Sequence, residues 1–534
     1  MAPARYPGSV RRLWGVFCVV LWGCGFFAPF PDLAPDGDPR LADSSDASSH
    51  APCVGDACDA GSDGWPAVCD GGDCAEVGEV RWAASVTSNA TFEYGPAIAT
   101  RPNGDIALAF SGYGSWKSGA QSLPDTGAGD VGLVFVKAGG EVVSSRRIDF
   151  GGVDYARSIA FDADGNVWIV GHTTAITGNT NAHALVRKVD STGGSLVTAA
   201  VDVASTSSHL YCTSIAVGSG GDLALSCMGR GAVEYTKVGG VVASVTLEGN
   251  SDGIVARLDP ATGRVVWLTR VGGEGYDTAT HVAVDASGNV YLAGAFDSAE
   301  LAFPALTRVG LRQNALVAKL NAADGSVAWA HAYGDTVEPP IKGPSDSESS
   351  STVGAGAYAI AVDAFGHVAV GGRYRGTTDF GGDQRQGDLP GFFVLMLDAA
   401  TGVRSWSKFG RGSVARGGYT ADLAFDGAGH LAAVGSALGN GIAHIDGRPF
   451  PTFANSTAFA AKMSVEDGTV EWVRSVRGAA GSPFFEGVSA GFSANGTLVA
   501  GVQGTGIGSP FSVDLGDGND ITTTGLVSAV AWRP

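Results

Sequence analysis

The chain has 534 residues, 45% of them apolar and only 16% charged, with 81 glycines and a formal net charge of −19. Glycine at about twice its usual share of roughly 7%, with few charges, excludes a helical bundle and suits many short strands joined by tight turns. So acidic a balance excludes nucleic acid as a partner, because phosphate binding needs a basic surface.

Residues 1–12, MAPARYPGSVRR, are basic with no acid, and residues 13–23, LWGVFCVVLWG, form an apolar run that ends at Cys24. That order predicts a bacterial secretion signal over 1–23. The stretch LWGC resembles the lipobox of bacterial lipoproteins, in which the Cys is lipidated and becomes the mature N-terminus. Leu21 and Gly23 match it, whereas Trp22 is bulkier than the small residue usual there. An uncleaved anchor is the alternative, since residues 13–30 are almost all apolar and reach the lower limit for a span. Either reading puts the body of the chain outside the cytoplasm, tied to a membrane. The expected location is the cell envelope, at the outer membrane or surface of a Gram-negative bacterium.

Residues 24–77 are acidic, rich in Ser, Gly and Pro, and too poor in apolar side chains to bury a core, so a disordered tether is expected. Cys53, Cys58, Cys69 and Cys74 fall in it as two C-x4-C pairs. Zinc sites prefer C-x2-C, and an exported chain favours disulfides, whose connectivity the spacing leaves open.

Past residue 78 the chain repeats itself. Segments such as AIATRPNGDIALAFSG, SIAFDADGNVWIVGHT and HVAVDASGNVYLAGAF read strand, turn, strand. There are seven, with turn glycines at Gly104, Gly165, Gly221, Gly288, Gly366, Gly429 and Gly496. A second kind of hairpin alternates with them, as in GIVARLDPATGRVVW. In four copies a Trp follows the turn glycine by four residues: Gly263/Trp267, Gly325/Trp329, Gly402/Trp406 and Gly468/Trp472. Weaker copies in 133–148 and 184–201 lack the Trp, which makes six complete second hairpins against seven first ones.

The missing one is split between the ends. GLVSAVAWRP (525–534) matches a first arm, and GEVRW (78–82), with Gly78 four residues before Trp82, matches a second arm. Residues 78–534 are therefore expected to form an all-β, seven-bladed β-propeller with four strands per blade, closed by pairing the strand near Trp82 with 525–534. Closure of this kind removes exposed sheet edges. Extra length falls between the two hairpins of a blade, as in 297–314, 374–390 and 438–457. The first hairpins resemble the bacterial β-propeller repeat of the SBBP type, RGTTDFGGDQRQGDLPGFFVLMLDAATG lying close to its consensus. The second, LDPATGRVVW, is similar to pyrroloquinoline-quinone-type propeller repeats, which implies Trp packing between neighbouring blades.

Chemistry is sparse. GVSAG (487–491) has the form G-x-S-x-G, but that motif needs a strand-to-helix elbow, and Ser489 falls inside a strand pattern. Nine histidines are scattered with no metal-ligand spacing, and His367 and His430 take a turn position held by Asn elsewhere. Asp514, Asp517, Asn519 and Asp520 in DLGDGND have no counterpart in other repeats and form the candidate for Ca2+, against a plain loop. Cys212 and Cys227 flank a first hairpin almost symmetrically and are candidates for a cross-strand disulfide. Tyr94, Tyr155, Tyr211 and Tyr419 each stand ten residues before a turn glycine, at one level near the start of the presumed innermost strand. They read either as packing between blades or as an aromatic ring that binds sugar or peptide at the channel mouth.

No catalytic constellation emerges. The expected protein is a monomeric, non-enzymatic scaffold, lipid-anchored at Cys24, that binds a protein or glycan ligand and needs no cofactor apart from the Ca2+ candidate. A periplasmic or surface enzyme, quinone-dependent or hydrolytic, and an envelope assembly factor are the alternatives.

Overall fold

The computed structural model describes residues 67–70, 73–76, 80–90, 92–174, 182–190, 196–197, 202–205, 210–218, 221–237, 240–259, 264–310, 312–335, 354–385, 390–412, 417–478, 484–493, 495–505, 511–514, 520–523 and 525–532. The signal segment, Cys24, Cys53 and Cys58 lie outside these residues. Within the expected tether, Ala67–Asp70 and Asp73–Glu76 pair as a short antiparallel ribbon that sets Cys69 opposite Cys74.

The described residues are all strand and turn. Seven innermost strands form a closed ring in chain order: Phe92–Thr100, Val153–Phe161, Leu210–Val217, Asp277–Val284, Gly356–Val362, Gly418–Phe425 and Phe484–Phe492, the last returning to the first. Each begins an antiparallel blade, numbered 1 to 7 here. Blade 5 is typical, running Gly356–Val362, His367–Tyr374, Gly391–Asp398 and Arg404–Arg411 from the channel outward. The chain is a seven-bladed β-propeller.

Blade 7 is built from both ends of the sequence. Phe484–Phe492 pairs with Leu498–Thr505, which pairs with Gly525–Trp532, and the N-terminal Val80–Ser88 supplies the fourth strand. Its register sets Trp82 against Ala531 and Val86 against Val527. Gly525–Trp532 buries its side chains from end to end between blades 6 and 1, whereas Val80–Ser88 buries every second residue from Trp82 on.

Local chemistry fixes the turns. All seven first-hairpin glycines have positive φ, between 78° and 103° at Gly496 and Gly429, a region closed to most side chains by Cβ clashes. The preceding Asp orders the loop: Asp162 Oδ1 accepts Asn166 N at 2.8 Å and Oδ2 accepts Asn166 Nδ2 at 3.0 Å. His367 and His430 do the same work as that Asn, with Nδ1 at 2.7 Å and 2.5 Å from the Oδ2 of Asp363 and Asp426.

The core lies between blades. One apolar cluster joins Ala107 and Leu133 of blade 1 to Ile159 and Ile169 of blade 2, and another joins Val255 of blade 3 to Val282 and Leu292 of blade 4. Each fully buried side chain of this kind contributes about 1.5–3 kcal/mol. The outer tryptophans lock neighbours together. Trp82, Trp267, Trp329 and Trp406 donate Nε1–H to Ala138, Ala322, Ala399 and Val465 of the next blade, at 3.0, 2.9, 3.1 and 2.8 Å. Gly140, Gly325, Gly402 and Gly468 lie flat against those same indoles, where a Cβ would collide.

Ribbons emerge between second and third strands. The hairpins Leu223–Lys237/Gly240–Asp259 and His430–Ile445/Arg448–Ser464 run far past the sheet, and short ribbons form at Glu300–Leu301/Leu306–Thr307 and Thr378–Asp379/Gln384–Arg385. The blade 3 ribbon was not foreseen as an insertion, since its residues continue the apolar alternation of the strands.

Candidate functional site

In an antiparallel blade the two tight turns point to one end, and the insertions and blade-to-blade links point to the other. Residues at the start of innermost strands therefore share a face with the inserted ribbons. Tyr94, Tyr155 and Tyr211, from blades 1, 2 and 3, meet there.

His172 organises them. It stands directly opposite Tyr155 across blade 2 and stacks on it, with ring centroids 4.3 Å apart and planes 19° apart. Tyr211 meets the imidazole edge-on at 4.8 Å, and Tyr94 meets Tyr155 edge-on at 5.3 Å. Arg157 crosses the group: Nη2 donates to Tyr94 Oη at 2.7 Å, and the guanidinium lies 4.2 Å over the Tyr94 ring. Tyr276 continues the wall beside Tyr211 and Met228.

Tyr419 belongs to a second group on the same level. Its ring meets Tyr358 edge-on at 6.5 Å, Arg373 lies 5.7 Å over Tyr358, and Tyr419 hydrogen-bonds Glu486.

A bulge aims these side chains. In blades 2 to 7 the innermost strand carries one extra residue eight positions before the turn glycine: Arg157, Thr213, Thr280, Tyr358, Ala421 and Val488. A bulge turns its residue out of the alternation. Where it is Thr, the hydroxyl wedges onto the next blade, Thr213 on Ala279 O at 2.9 Å and Thr280 on Ala357 O at 2.7 Å. At Arg157 and Tyr358 the same position carries a long side chain into the mouth groups.

Electrostatics follow burial. His172, 1% exposed, is held far below the usual histidine range by burial and then by Arg157, so it stays neutral. Burial pushes the Tyr211 phenol up to about 12, with the Arg157 charge opposing. Glu486 is raised by burial, with the Tyr419 hydrogen bond opposing. Deeper in the channel, Asp422 is raised by burial and lies 3.7 Å from His281 of blade 4.

The other sequence candidates sort plainly. Ser489 is a strand residue whose hydroxyl donates to Pro96 O at 2.6 Å, closing blade 7 on blade 1, and no helix follows it among the described residues. Cys212 and Cys227 face each other in register and are joined, with S–S 2.07 Å. Asp514 and Asp520 stand opposite each other on adjacent strands, while Asp517 and Asn519 lie outside the described residues. Sequence reasoning missed His172, Arg157, Tyr276 and Tyr358. His172 had no motif to mark it, and its only signal was its place in a first hairpin opposite Tyr155. A surface groove of 510 Å3 near Ser85, Ser118 and Gln121 has no titratable side chain in its lining.

Residues 266–295 match the family model described as the SBBP β-propeller repeat. No curated protein matches the chain. Among solved structures, virginiamycin B lyase from Staphylococcus aureus is 10% identical over 84% of this chain and 99% of its own, with TM-score 0.38. Quinohemoprotein alcohol dehydrogenase from Comamonas testosteroni is 9% identical over 85% of this chain and 76% of its own, also at 0.38. A protein of unknown function from Dyadobacter fermentans is 10% identical over 86% and 99%, at 0.38. The chain is a β-propeller, and its match to the SBBP repeat runs from the last strand of blade 3 through the first strand pair of blade 4.

Proposed function

We propose that this protein is an exported, lipid-anchored propeller of the cell envelope that binds a sugar or peptide ligand at its aromatic channel mouth. The observation that carries the reading is the Tyr155–His172 stack, walled by Tyr94 and Tyr211 and crossed by Arg157. Aromatic faces suit sugar rings and aromatic or apolar side chains, and a guanidinium supplies donors for carboxylate or carbonyl oxygens. The buried, neutral imidazole backs the Tyr155 ring without adding charge. The inserted ribbons share this face and extend the contact surface, as loops on a rigid scaffold do.

Binding of the purified protein to arrays of oligosaccharides and short peptides tests the reading. A ligand held by the native protein and lost at least tenfold in Tyr155→Ala and Arg157→Met supports it. Ligands that bind all three proteins equally, or none at all, defeat it. Export and lipidation are tested separately, by labelling cells with a fatty-acid analogue and comparing Cys24→Ser.

The quinone-dependent alternative drew on the tryptophans of the second hairpins. Three of those indoles, Trp267, Trp329 and Trp406, are engaged between blades through Nε1–H···O=C bonds, a packing role that accounts for them without a cofactor.

A further inference from the structure

The blade 1–blade 2 boundary carries three carboxylates from different strands. Asp130 opens the third strand of blade 1, Asp149 follows its fourth strand, and Asp154 lies at the start of the innermost strand of blade 2. One oxygen from each lies within 4.8 Å of the others. That is the span of two ligands on opposite sides of a calcium ion, each bound at about 2.3–2.6 Å.

Two of the three are fully buried and incompletely paired. Asp130 and Asp154 are both 0% exposed. Asp130 Oδ2 takes Arg147 Nη1 at 3.1 Å and the Thr126 hydroxyl, and the Asp154 carboxylate takes Phe150 N at 2.6 Å on Oδ2 and a hydrogen bond from the Thr173 side chain. The remaining oxygens, Asp130 Oδ1 and Asp154 Oδ1, have no hydrogen-bond partner among the described residues. A buried anionic oxygen without a partner costs several kcal/mol unless a proton or a cation meets it. One guanidinium faces three carboxylates, so the positive charge falls short.

The blade 3–blade 4 boundary is an internal comparison. Asp277 is placed as Asp154 is, eleven residues before its turn glycine, and Asp252 pairs with Arg270 as Asp130 does with Arg147. There, however, Asp277 accepts four donors: Gly273 N, Asp297 N, Ser298 N and Ser298 Oγ, at 2.7, 3.2, 3.2 and 2.6 Å. Gly272 stands where Asp149 would. Asp252 Oδ1 has no partner among the described residues, as Asp130 Oδ1 has none, so what sets the blade 1–blade 2 boundary apart is the open Oδ1 of Asp154 and the third carboxylate, Asp149.

The geometry points to a divalent-cation site, with calcium as the fitting ion, formed by Asp130, Asp149 and Asp154 and clamping blade 1 to blade 2. Asp149 is exposed and gives the ion a path from solvent. Its remaining ligands are water and backbone oxygens, as is usual for calcium. Asp154 immediately precedes Tyr155, so the ion also steadies the mouth.

Terbium is the probe. Trp116 lies 3.5 Å from the Arg147 guanidinium, which bonds Asp130, so indole excitation reaches a lanthanide bound there. With the full-length protein, saturable terbium emission that calcium displaces is expected, together with a calcium-dependent rise in melting temperature. Asp149→Ala, an exposed change that leaves the fold intact, weakens both at least tenfold, and the isosteric Asp154→Asn removes them. Emission and melting shifts that are the same in native protein and both variants place the ion elsewhere and overturn the site. No calcium response in the native protein overturns it too.

Discussion

Ser85 Oγ and Ser528 Oγ lie 2.7 Å apart although 443 residues separate them in the chain. They face each other in register on the third and fourth strands of blade 7, the only blade assembled from both ends of the sequence. Every other blade is contiguous, so ring closure depends on this one long-range pairing. It removes the two sheet edges that an open ring would expose.

Ser85→Cys with Ser528→Cys is therefore expected to form a disulfide on air oxidation, seen as a bridged peptide by mass spectrometry. A bond closing so long a loop raises stability by about 6 kcal/mol on chain entropy. Recovery of free thiols alone would show that the termini do not meet.

Trp406 and Trp472 occupy equivalent places with unequal partners. Trp406 Nε1 donates to Val465 O, but the turn that Trp472 would reach in blade 7 is interrupted where the termini meet. Its buried Nε1 has no acceptor among the described residues, and its ring lies 6.5 Å from Trp532. Trp406→Phe strands a carbonyl and is expected to cost about 1–3 kcal/mol. Trp472→Phe deletes an unsatisfied donor and is expected to cost less. Urea denaturation of the two variants measures the difference, and equal losses would contradict the account.

His172 stays neutral in the folded state well below the ordinary value of 6.5, whereas in the unfolded chain it takes a proton there. The unfolded state then binds more protons, so this contribution is complete above pH 6.5 and is lost as pH falls below it. The slope reaches about 1.4 kcal/mol per pH unit. His172→Gln is expected to flatten stability between pH 7 and pH 5. In Arg157→Met, proton NMR should find the imidazole titrating at higher pH than in the native protein, while burial still keeps it below 6.5.

Glu486 has the opposite sign. Burial raises its folded pKa, so the native state keeps the proton longer than the unfolded chain does. Its contribution is present below the ordinary 4.5 and is lost as pH rises through the raised value. Glu486→Gln is expected to gain on the order of 1 kcal/mol at neutral pH and nothing below pH 4. Thermal unfolding across that range gives the comparison. A loss at neutral pH would mean that the carboxylate is stabilised by partners, not strained by burial.

The ring was legible in the sequence because its parts are locally encoded. A turn at Gly165 needs positive φ and recurs at fixed spacing in all seven repeats, and Asp162, which takes its donor from Asn166 four residues on, recurs as Asp285, Asp363 and Asp426. Counting arms then leaves Trp82 and 525–532 as the only unpaired halves. Tyr94, Tyr155 and Tyr211 were visible by the same spacing, since each stands at one distance from its turn. The group that gathers them was not, because Arg157 reaches the mouth through a bulge. A bulge breaks the period-two pattern and is defined only by the register of the partner strand.

By itself, the sequence determined the strand count, the turns and the closure of the ring, since steric limits on glycine and the two-residue strand period act within a few neighbours. Only the tertiary structure decided that His172 stacks on Tyr155 and that Asp130, Asp149 and Asp154 converge. Those meetings depend on bulges and on the packing of one blade against the next, which are set by contacts between residues far apart in the chain.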